Sequence, residues 1–421
     1  MKTMNFISSI ILSIVSIFML SLFTGCEPEN SIIVDPVPQT EPPKPKQDIN
    51  PPINLNFLNA DKMLSKILSG KEDCKFVVAH ISDVHVSHWS SNNSVHKPKN
   101  LIEAVDYVNK SRNFDVLVAT GDFIHNHQGT THETAMEYLS VFSKNLFTDT
   151  NRVVSLTCTG NHDGNMINKD KNSWITTEDF YNTVTGKIGG NIKIQGRVNY
   201  YYYDLPDNNG GYIRFISLDE IDNESDSVST QLHPAYSHKQ IDWLVNVALK
   251  EGMTPNHSVV ILTHHPLPTT DKEVLKYVYN EHEYSWYMIP EIIEAFRSKR
   301  KLDKEYKNRL VKGDVMKVDA DFSNSPGEFI CYMCGHIHTY FNYEVKGIPN
   351  SNPNLPNQVV LVSNNMSPSE KNPISPIERE TVGIKNNTFN IYSIDTKKRT
   401  IDVTFFGANL VSYPQVINIK Y

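Results

Sequence analysis

Short apolar runs rich in β-branched residues recur along the chain and predict buried strands. Helical patterns separate several of these runs, and this alternation is typical of an α/β fold. The predicted strands cover residues 76–81, 116–119, 153–158, 212–218, 259–262 and 329–333.

Amphipathic patterns between the runs predict three helices. Apolar residues recur at helical spacing over residues 101–108 and again over residues 135–142. Ser237 is followed three residues later by Gln240, which is a capping-box signature, so a third helix is predicted to begin there. Gly252 is the expected end of that helix.

The last part of the chain contains three further strand-like runs, over residues 358–362, 388–394 and 400–406, with no helical pattern between them. This tail holds too few apolar residues to build a core of its own. We therefore expect a single domain over residues 53–421, in which residues 342–421 add antiparallel strands that complete the same sheets.

The N-terminus carries an apolar run over residues 6–23 that ends in Thr24-Gly25-Cys26. This arrangement resembles a bacterial lipoprotein signal, in which residues 1–25 are a cleaved signal peptide and Cys26 becomes the lipidated N-terminus. The alternative is an uncleaved membrane helix, because the run is long enough to span a bilayer. Frequent prolines over residues 26–52 predict an extended tether. The expected location is the bacterial cell envelope, lipid-anchored in the periplasm or at the outer-membrane surface.

The formal net charge of -7 and a pI near 6.1 argue against a broad basic surface for nucleic acid. A small phosphorylated substrate is compatible with this charge, because bound cations would reverse it locally. The remaining cysteines lie in or beside apolar runs, so we expect buried thiols, although the sequence leaves disulfides between them open. They are Cys74, Cys158, Cys331 and Cys334. Nothing in the sequence indicates the oligomeric state.

Five of the predicted strands are followed directly by histidine, aspartate or asparagine. Ligand sites in α/β proteins form at the carboxyl ends of strands, so these side chains are predicted to converge on one site. The residues are Asp83, His85, Asp122, Asn161, His162, Asp163, His264, His265, His336 and His338.

Two pairs of these residues, Asp83 with His85 and His336 with His338, are separated by a single residue. In an extended chain both members of a pair would point the same way and approach one site. Oxygen and imidazole ligands without thiolate suit Mn, Fe or Zn, and their number exceeds one coordination sphere, which indicates two ions. Glycines at positions 121, 160 and 335 are expected where the chain turns sharply beside the site.

Five ordered motifs between Asp83 and His338 resemble those of the calcineurin-like metallophosphoesterase superfamily, namely D-x-H, G-D, G-N-H-D, H and G-H-x-H. The resemblance implies an α/β fold of four layers, an α/β/β/α sandwich of two mixed β-sheets flanked by helices. It also implies metal-dependent hydrolysis of phosphate esters. One such dipeptide would carry no weight, whereas five in order, each after a predicted strand, do.

The resemblance further implies two metal ions and a role for each motif residue. It assigns Asp83, His85 and His338 to one ion and Asn161, His264 and His336 to the other, with Asp122 bridging them. A metal-bridging hydroxide would attack phosphorus. His162 would assist the leaving group, and Asp163 would hold the ring of His162 in place.

Three further histidines, His125, His127 and His265, lie near the motifs and are weaker candidates for contacts with substrate. The aromatic segment 277–287 is either a lid over the site or part of the core. Purple acid phosphatases carry tyrosine where this chain has His125, and glycine where it has His85. The resemblance is therefore closer to the branch that includes cyclic-nucleotide phosphodiesterases and other diesterases.

The function expected from these features is hydrolysis of phosphomonoesters or phosphodiesters at a dinuclear metal centre. The alternative is a non-catalytic, tethered protein that binds phosphorylated ligands through the metal site. The sequence does not distinguish monoester from diester, nor Mn from Fe or Zn.

Overall fold

The computed structural model describes residues 55–69, 75–88, 98–168, 170–207, 209–222, 235–270, 287–309, 312–363, 366, 387–407 and 416–421. The predicted signal peptide, Cys26, the tether, Cys74 and all but the last residue of segment 277–287 lie outside these ranges. Among the described residues, no helix is both long enough and apolar enough to cross a membrane.

Fourteen strands and six α-helices make up the described part of the chain. The strands are β1 (Phe76–Ile81), β2 (Val116–Thr120), β3 (Val154–Cys158), β4 (Tyr201–Pro206), β5 (Tyr212–Ser217), β6 (His257–Leu262), β7 (Lys301–Lys307), β8 (Val315–Asp321), β9 (Glu328–Cys334), β10 (Phe341–Val345), β11 (Gln358–Val362), β12 (Thr388–Asp395), β13 (Thr400–Gly407) and β14 (Val416–Lys420). The helices are α1 (Leu55–Leu68), α2 (Lys99–Lys110), α3 (His132–Leu146), α4 (Thr177–Thr183), α5 (His238–Trp243) and α6 (Met288–Arg297).

Twelve of the strands form two six-stranded sheets, and β7 pairs with β8 as a separate hairpin. The first sheet has the order β14-β13-β12-β1-β2-β3, and the second has the order β10-β11-β9-β6-β5-β4. Strands β1, β2 and β3 are parallel, and so are β5, β6, β9 and β11, whereas the remaining neighbours are antiparallel. Both sheets are therefore mixed, as predicted.

The strand register aligns the carboxyl ends of the parallel strands. Ile81 at the end of β1 is opposite Ala119 of β2, and Leu262 at the end of β6 is opposite Met333 of β9. The loops that follow these strands consequently leave the sheets at the same edge. This edge carries the residues predicted to bind metal.

Buried apolar side chains form three layers. The middle layer lies between the two sheets and includes Val78 and Val118 of the first sheet with Phe215 and Val260 of the second. Helices α1, α2 and α3 cover the outer face of the first sheet, and α5, α6 and the β7–β8 hairpin cover the outer face of the second. This order confirms the four-layer α/β/β/α sandwich. Each fully buried large apolar side chain contributes about 1.5–3 kcal/mol, so the packing of sheet on sheet holds the strand ends firmly in position.

The tail strands extend both sheets rather than forming a separate unit. Strands β12, β13 and β14 add to the first sheet with antiparallel pairing. The expected antiparallel pairing is wrong for β11, which runs parallel to β9. The reason is that β10 first reverses the chain at the sheet edge, so that β11 returns between β10 and β9 in the direction of β9.

The third predicted helix begins as expected but ends differently. The Ser237 hydroxyl accepts a hydrogen bond from the backbone N–H of Gln240, as a helix N-cap does. The Gln240 side chain does not complete a capping box, because it exchanges two hydrogen bonds with the backbone of Asp219 at 2.8 and 2.9 Å. A π-helical turn over Leu244–Ala248 continues α5 and ends the helix before Gly252.

Three of the predicted buried thiols, Cys158, Cys331 and Cys334, lie in the described residues. All three are buried and free, which confirms the expectation at these positions. Burial raises the pKa of each thiol, so the three side chains behave as small apolar core residues.

Candidate metal centre

The seven predicted metal ligands lie at one edge of the two sheets, in loops that follow five strands. Asp83 and His85 follow β1, Asp122 follows β2, Asn161 follows β3, His264 follows β6, and His336 and His338 follow β9. Five of the seven are buried, and His336 and His338 are partly buried. Strand register aligns the ligands within each sheet, and the packing of one sheet on the other brings the two sets together.

The paired ligands are brought together by left-handed backbone conformations. Asp83 and His85 have φ of 53° and 51°, and His336 and His338 have φ of 70° and 55°. The extended-chain explanation of their spacing is therefore wrong, because both pairs lie in loops beyond the strand ends. A positive φ costs a non-glycine residue on the order of 1–3 kcal/mol, and such strain concentrates at functional sites.

Two glycines allow the loops to approach the ligands. A Cβ atom on Gly335 would lie 2.5 Å from Oδ2 of Asp83, and one on Gly160 would collide with the backbone and carboxylate of Asp122. Any side chain at either position would displace a predicted ligand. The two glycines are required by this close approach.

One group of potential ligands consists of Asp83, His85, Asp122 and His338, each of which has one ligand atom within 4.8 Å of the others. The Nε2 atom of His338 lies 3.1 Å from Oδ1 of Asp83 and 3.0 Å from Nε2 of His85. His85 Nε2 also lies 3.9 Å from Oδ2 of Asp122. Two carboxylates and two imidazoles converging in this way form a donor set that suits Mn, Fe or Zn.

A second group shares Asp122 with the first and adds His264 and His336. The Nε2 atom of His264 lies 3.1 Å from Oδ2 of Asp122. Nδ1 of His336 lies 3.0 Å from Oδ1 of Asn161, which places the amide at the same group. Asp122 is thus common to both groups, as the sequence motifs imply for a bridging ligand.

The chemistry of these groups fits cations. Oδ1 of Asp83 and Nε2 of His264 are buried atoms that form no hydrogen bond within the described structure. Burial would raise the pKa of Asp83, but the neighbouring histidines hold it well below the usual range. Burial would lower the pKa of His264, but the Asp122 and Asp83 carboxylates raise it to about 10. The buried carboxylates therefore favour positive charge at the centre, which divalent ions would supply.

Asp163 is buried and binds backbone groups of two loops. Its carboxylate accepts hydrogen bonds from backbone N–H groups at four positions, at 2.7–3.3 Å. These are the N–H groups of Gly160, Asp122, Phe123 and Ile124. Asp163 thus ties the loop after β3 to the loop after β2. The role expected for Asp163 as holder of the His162 ring stays a prediction, because these four bonds go to backbone groups.

His162 lies beside the shared carboxylate, with Nε2 3.9 Å from Oδ2 of Asp122. Its Nδ1 atom is 2.7 Å from Oδ1 of Asn126. Its backbone N–H donates to Oδ1 of Asp122 at 2.9 Å. The sequence motifs gave no indication of Asn126, which lies four residues after Asp122 in the same loop.

The three weaker candidates occupy different positions. The ring of His125 is 5.3 Å from that of His85 and 5.6 Å from that of His162, so it lies at the centre. His127 is exposed, with its ring 4.5 Å from His125. His265 is buried, and its Nδ1 atom lies 3.0 Å from Oε2 of Glu220. His125 and His127 therefore lie on the solvent-exposed side of the centre, its open side. His265 lies on the buried side of the ligands.

Residues 76–340 match the family model described as calcineurin-like phosphoesterase. No curated protein matches the chain significantly. Among solved structures, the chain is similar to PhoD, at 10% identity and a TM-score of 0.41, over 82% of this chain and 68% of that one. It is also similar to NAD nucleotidase (NadN) of Haemophilus influenzae, at 11% identity and a TM-score of 0.32. That match covers 77% of this chain and 48% of NadN.

Proposed function

The chain belongs to the calcineurin-like phosphoesterase family, and we propose that it hydrolyses esters of small phosphorylated substrates in a metal-dependent reaction. The observation that carries this proposal is the position of Asp122, which belongs to both groups of potential ligands. A carboxylate shared by two such groups suits a pair of cations. The proposal includes phosphomonoesters and phosphodiesters.

We infer that two ions, chosen among Mn, Fe and Zn, would be held at the centre. Asp83, His85 and His338 would hold one, Asn161, His264 and His336 the other, and Asp122 both. When bound, such ions supply Lewis-acid activation of water and of the phosphoryl oxygens. The left-handed loops and the close glycines support this assignment, because they hold the donor atoms in place before any ion arrives.

His162 is proposed to deliver a proton to the leaving oxygen. Its side chain is about one-fifth exposed and its Nε2 atom faces the shared carboxylate, so the ring reaches both the centre and the open side. General acid catalysis of this kind contributes roughly 10²–10⁴-fold. His125, on the same side, is proposed to contact the phosphoryl group.

The test is activity of metal-stripped protein reconstituted separately with Mn, Fe or Zn. The substrates are p-nitrophenyl phosphate and bis(p-nitrophenyl) phosphate, which separate monoester from diester hydrolysis. We expect turnover to return with metal, and Asp122→Asn to lower it by about 10³-fold or more, because removal of a charged ligand at the reacting centre costs several kcal/mol.

Asp106→Asn is the matched control, because Asp106 lies on the surface of α2 and its ion pair is a local one with Lys110. It should keep full activity. Two equivalents of bound metal without hydrolysis of either ester would contradict the proposed activity. That result would favour the alternative function, binding of phosphorylated ligands without cleavage.

We also propose that Cys26 is lipidated and tethers the domain to the bacterial envelope. The support is the sequence, namely the apolar run over residues 6–23 that closes in Thr24-Gly25-Cys26 and the proline-rich segment after it. Metabolic labelling with a radioactive fatty acid should mark the full chain and fail to mark Cys26→Ser. Equal labelling of both would refute the anchor.

A further inference from the structure

Asn126 is a buried asparagine that contacts His162 at two points. It is 2% exposed and lies in the loop after β2. Its Nδ2 atom donates to the backbone carbonyl oxygen of His162 at 3.0 Å, and its Oδ1 atom is 2.7 Å from Nδ1 of the same residue. One amide thus holds both the backbone and the ring of a single residue.

The first contact fixes the orientation of the amide. A backbone carbonyl oxygen only accepts hydrogen bonds, so the group of Asn126 that faces the His162 carbonyl must be the NH₂ group. The amide oxygen must then face the imidazole. The usual ambiguity between the oxygen and nitrogen of an asparagine side chain is therefore resolved at this position.

The second contact fixes the tautomer of the imidazole. The amide oxygen of Asn126 only accepts, so Nδ1 of His162 must carry a hydrogen atom and donate it. Nε2 is then the nitrogen left to face the centre, 3.9 Å from Oδ2 of Asp122. With the opposite tautomer, Nδ1 and the amide oxygen of Asn126 would both be acceptors and could not form the hydrogen bond.

We propose that Asn126 is the positioning residue for His162, setting its tautomer and ring orientation so that Nε2 faces the leaving oxygen. This inference rests on the proposed function. In the reaction, the bond from water oxygen to phosphorus forms and the bond from phosphorus to the leaving oxygen breaks. The leaving oxygen takes the proton from Nε2 of His162, the water loses a proton to solvent, and Nε2 regains one from solvent. Nδ1 keeps its hydrogen bond to Asn126 throughout.

Asn126 and Asp163 both lie close to His162, but they hold different groups. Asp163 binds backbone N–H groups of two loops, so its loss would disturb the metal ligands as a whole. Loss of the Asn126 amide would leave those contacts in place and free the ring of His162. The effect of losing the Asn126 amide on turnover should therefore be larger for a leaving group that must be protonated.

The test compares p-nitrophenyl and phenyl esters of the type that the wild type cleaves. A p-nitrophenolate leaves readily without protonation, whereas a phenolate needs the acid. We expect Asn126→Ala to reduce kcat for the phenyl ester by about 10- to 100-fold more than for the p-nitrophenyl ester, which is part of the usual contribution of a general acid. Asn126→Asp, which keeps an acceptor for Nδ1, should restore part of that loss.

The matched control is Asn168→Ala. Asn168 is also buried and also donates to backbone carbonyl groups, but within the described residues these belong to His127 and Thr130 and not to His162. Asn168→Ala should change kcat for the phenyl ester and for the p-nitrophenyl ester by the same factor. Equal losses for both esters in Asn126→Ala, with unchanged metal content, would overturn the inference.

A measurement that does not require turnover separates this inference from the proposed function. In ¹⁵N-histidine-labelled, metal-free protein, the His162 signals are assigned by their absence in His162→Ala. We expect the hydrogen on Nδ1 in the wild type and a mixture of tautomers in Asn126→Ala. A hydrogen on Nε2 in the neutral wild-type ring would overturn the inference, whereas absence of turnover with the expected tautomer would count against the proposed function alone.

Discussion

The Oε2 atom of Glu220 accepts a hydrogen bond from the backbone N–H of His264 at 2.9 Å. The same oxygen accepts a second bond from the backbone N–H of His265 at 2.8 Å, and Tyr236 donates its hydroxyl to Oε1 at 3.0 Å. Glu220 is fully buried. One carboxylate therefore fixes the loop that carries a predicted metal ligand.

Replacement of Glu220 should weaken metal binding without removing a ligand. We expect Glu220→Ala to lower the affinity for one of two ions by about 10- to 100-fold, as loss of a group that orients a ligand does. The measurement is competition with a chelator, followed by metal analysis. Tyr236→Phe is the control, because it removes the hydroxyl that donates to Oε1 and leaves the hydrogen bond from His264 to Oε2 in place. This variant should keep most of the affinity for metal. Wild-type affinity in a folded Glu220→Ala protein would contradict the assigned role.

Metal removal should destabilise the whole domain. Asp83 and Asp122 are buried carboxylates close to one another, and ions that bind only the folded protein add stability. At a metal concentration of roughly 100 times Kd the gain is about 2.7 kcal/mol. Thermal unfolding with chelator and with added Mn or Zn measures it. The double variant Asp83→Asn with Asp122→Asn should show no metal-dependent shift, and equal Tm values for the wild type in both conditions would contradict the site.

The sequence predicts the central strands because they are continuously apolar, as buried parallel strands must be. The sequence-based prediction omits the β7–β8 hairpin, although Lys, Asp and Glu alternate there with apolar residues, which is the pattern of a half-exposed strand. It also omits β14, an edge strand whose side chains are exposed or half-buried. Strands of this kind gain their stability from neighbours that are distant in sequence, which local patterns do not contain.

The same distinction applies to the site. The predicted ligands occur in short motifs, so the sequence alone points to them. Asn126 and Glu220 have no motif, because their roles depend on contacts with residues 36 and 44 positions away. The backbone contacts of Asp163 have no motif for the same reason, since only the folded loops determine where those N–H groups lie.

His125 should affect binding of the phosphoryl group. Its ring lies between His85 and the exposed His127 on the open side of the centre. A hydrogen bond to a charged oxygen is worth about 1.5–3 kcal/mol, so His125→Ala should weaken inhibition by inorganic phosphate by roughly 10- to 100-fold. His132→Ala, at the start of α3, is the control and should not change it. An unchanged inhibition constant in His125→Ala would exclude the contact.

His80 should make stability depend on pH. Burial lowers the pKa of His80 to about 3, although the Asp83 carboxylate raises it in part. In the unfolded chain the pKa returns to about 6.5. Between these values the unfolded chain binds a proton that the folded protein does not, so stability is complete above pH 6.5 and falls as the pH drops, by up to about 1.4 kcal/mol per unit.

His80→Gln should remove this dependence between about pH 4.5 and 6.5, the upper part of the window set by the folded and unfolded pKa values. The measurement is urea unfolding across this range in the presence of a chelator, so that pH-dependent metal binding does not contribute. Tyr392→Phe is the control, because it removes the hydroxyl 3.3 Å from Nδ1 of His80 but keeps the titrating ring. This variant should lose about 1 kcal/mol of unfolding free energy at every pH. The slope of its unfolding free energy against pH should equal that of the wild type. A slope in His80→Gln equal to that of the wild type would show that His80 binds its proton equally in the folded and unfolded chain.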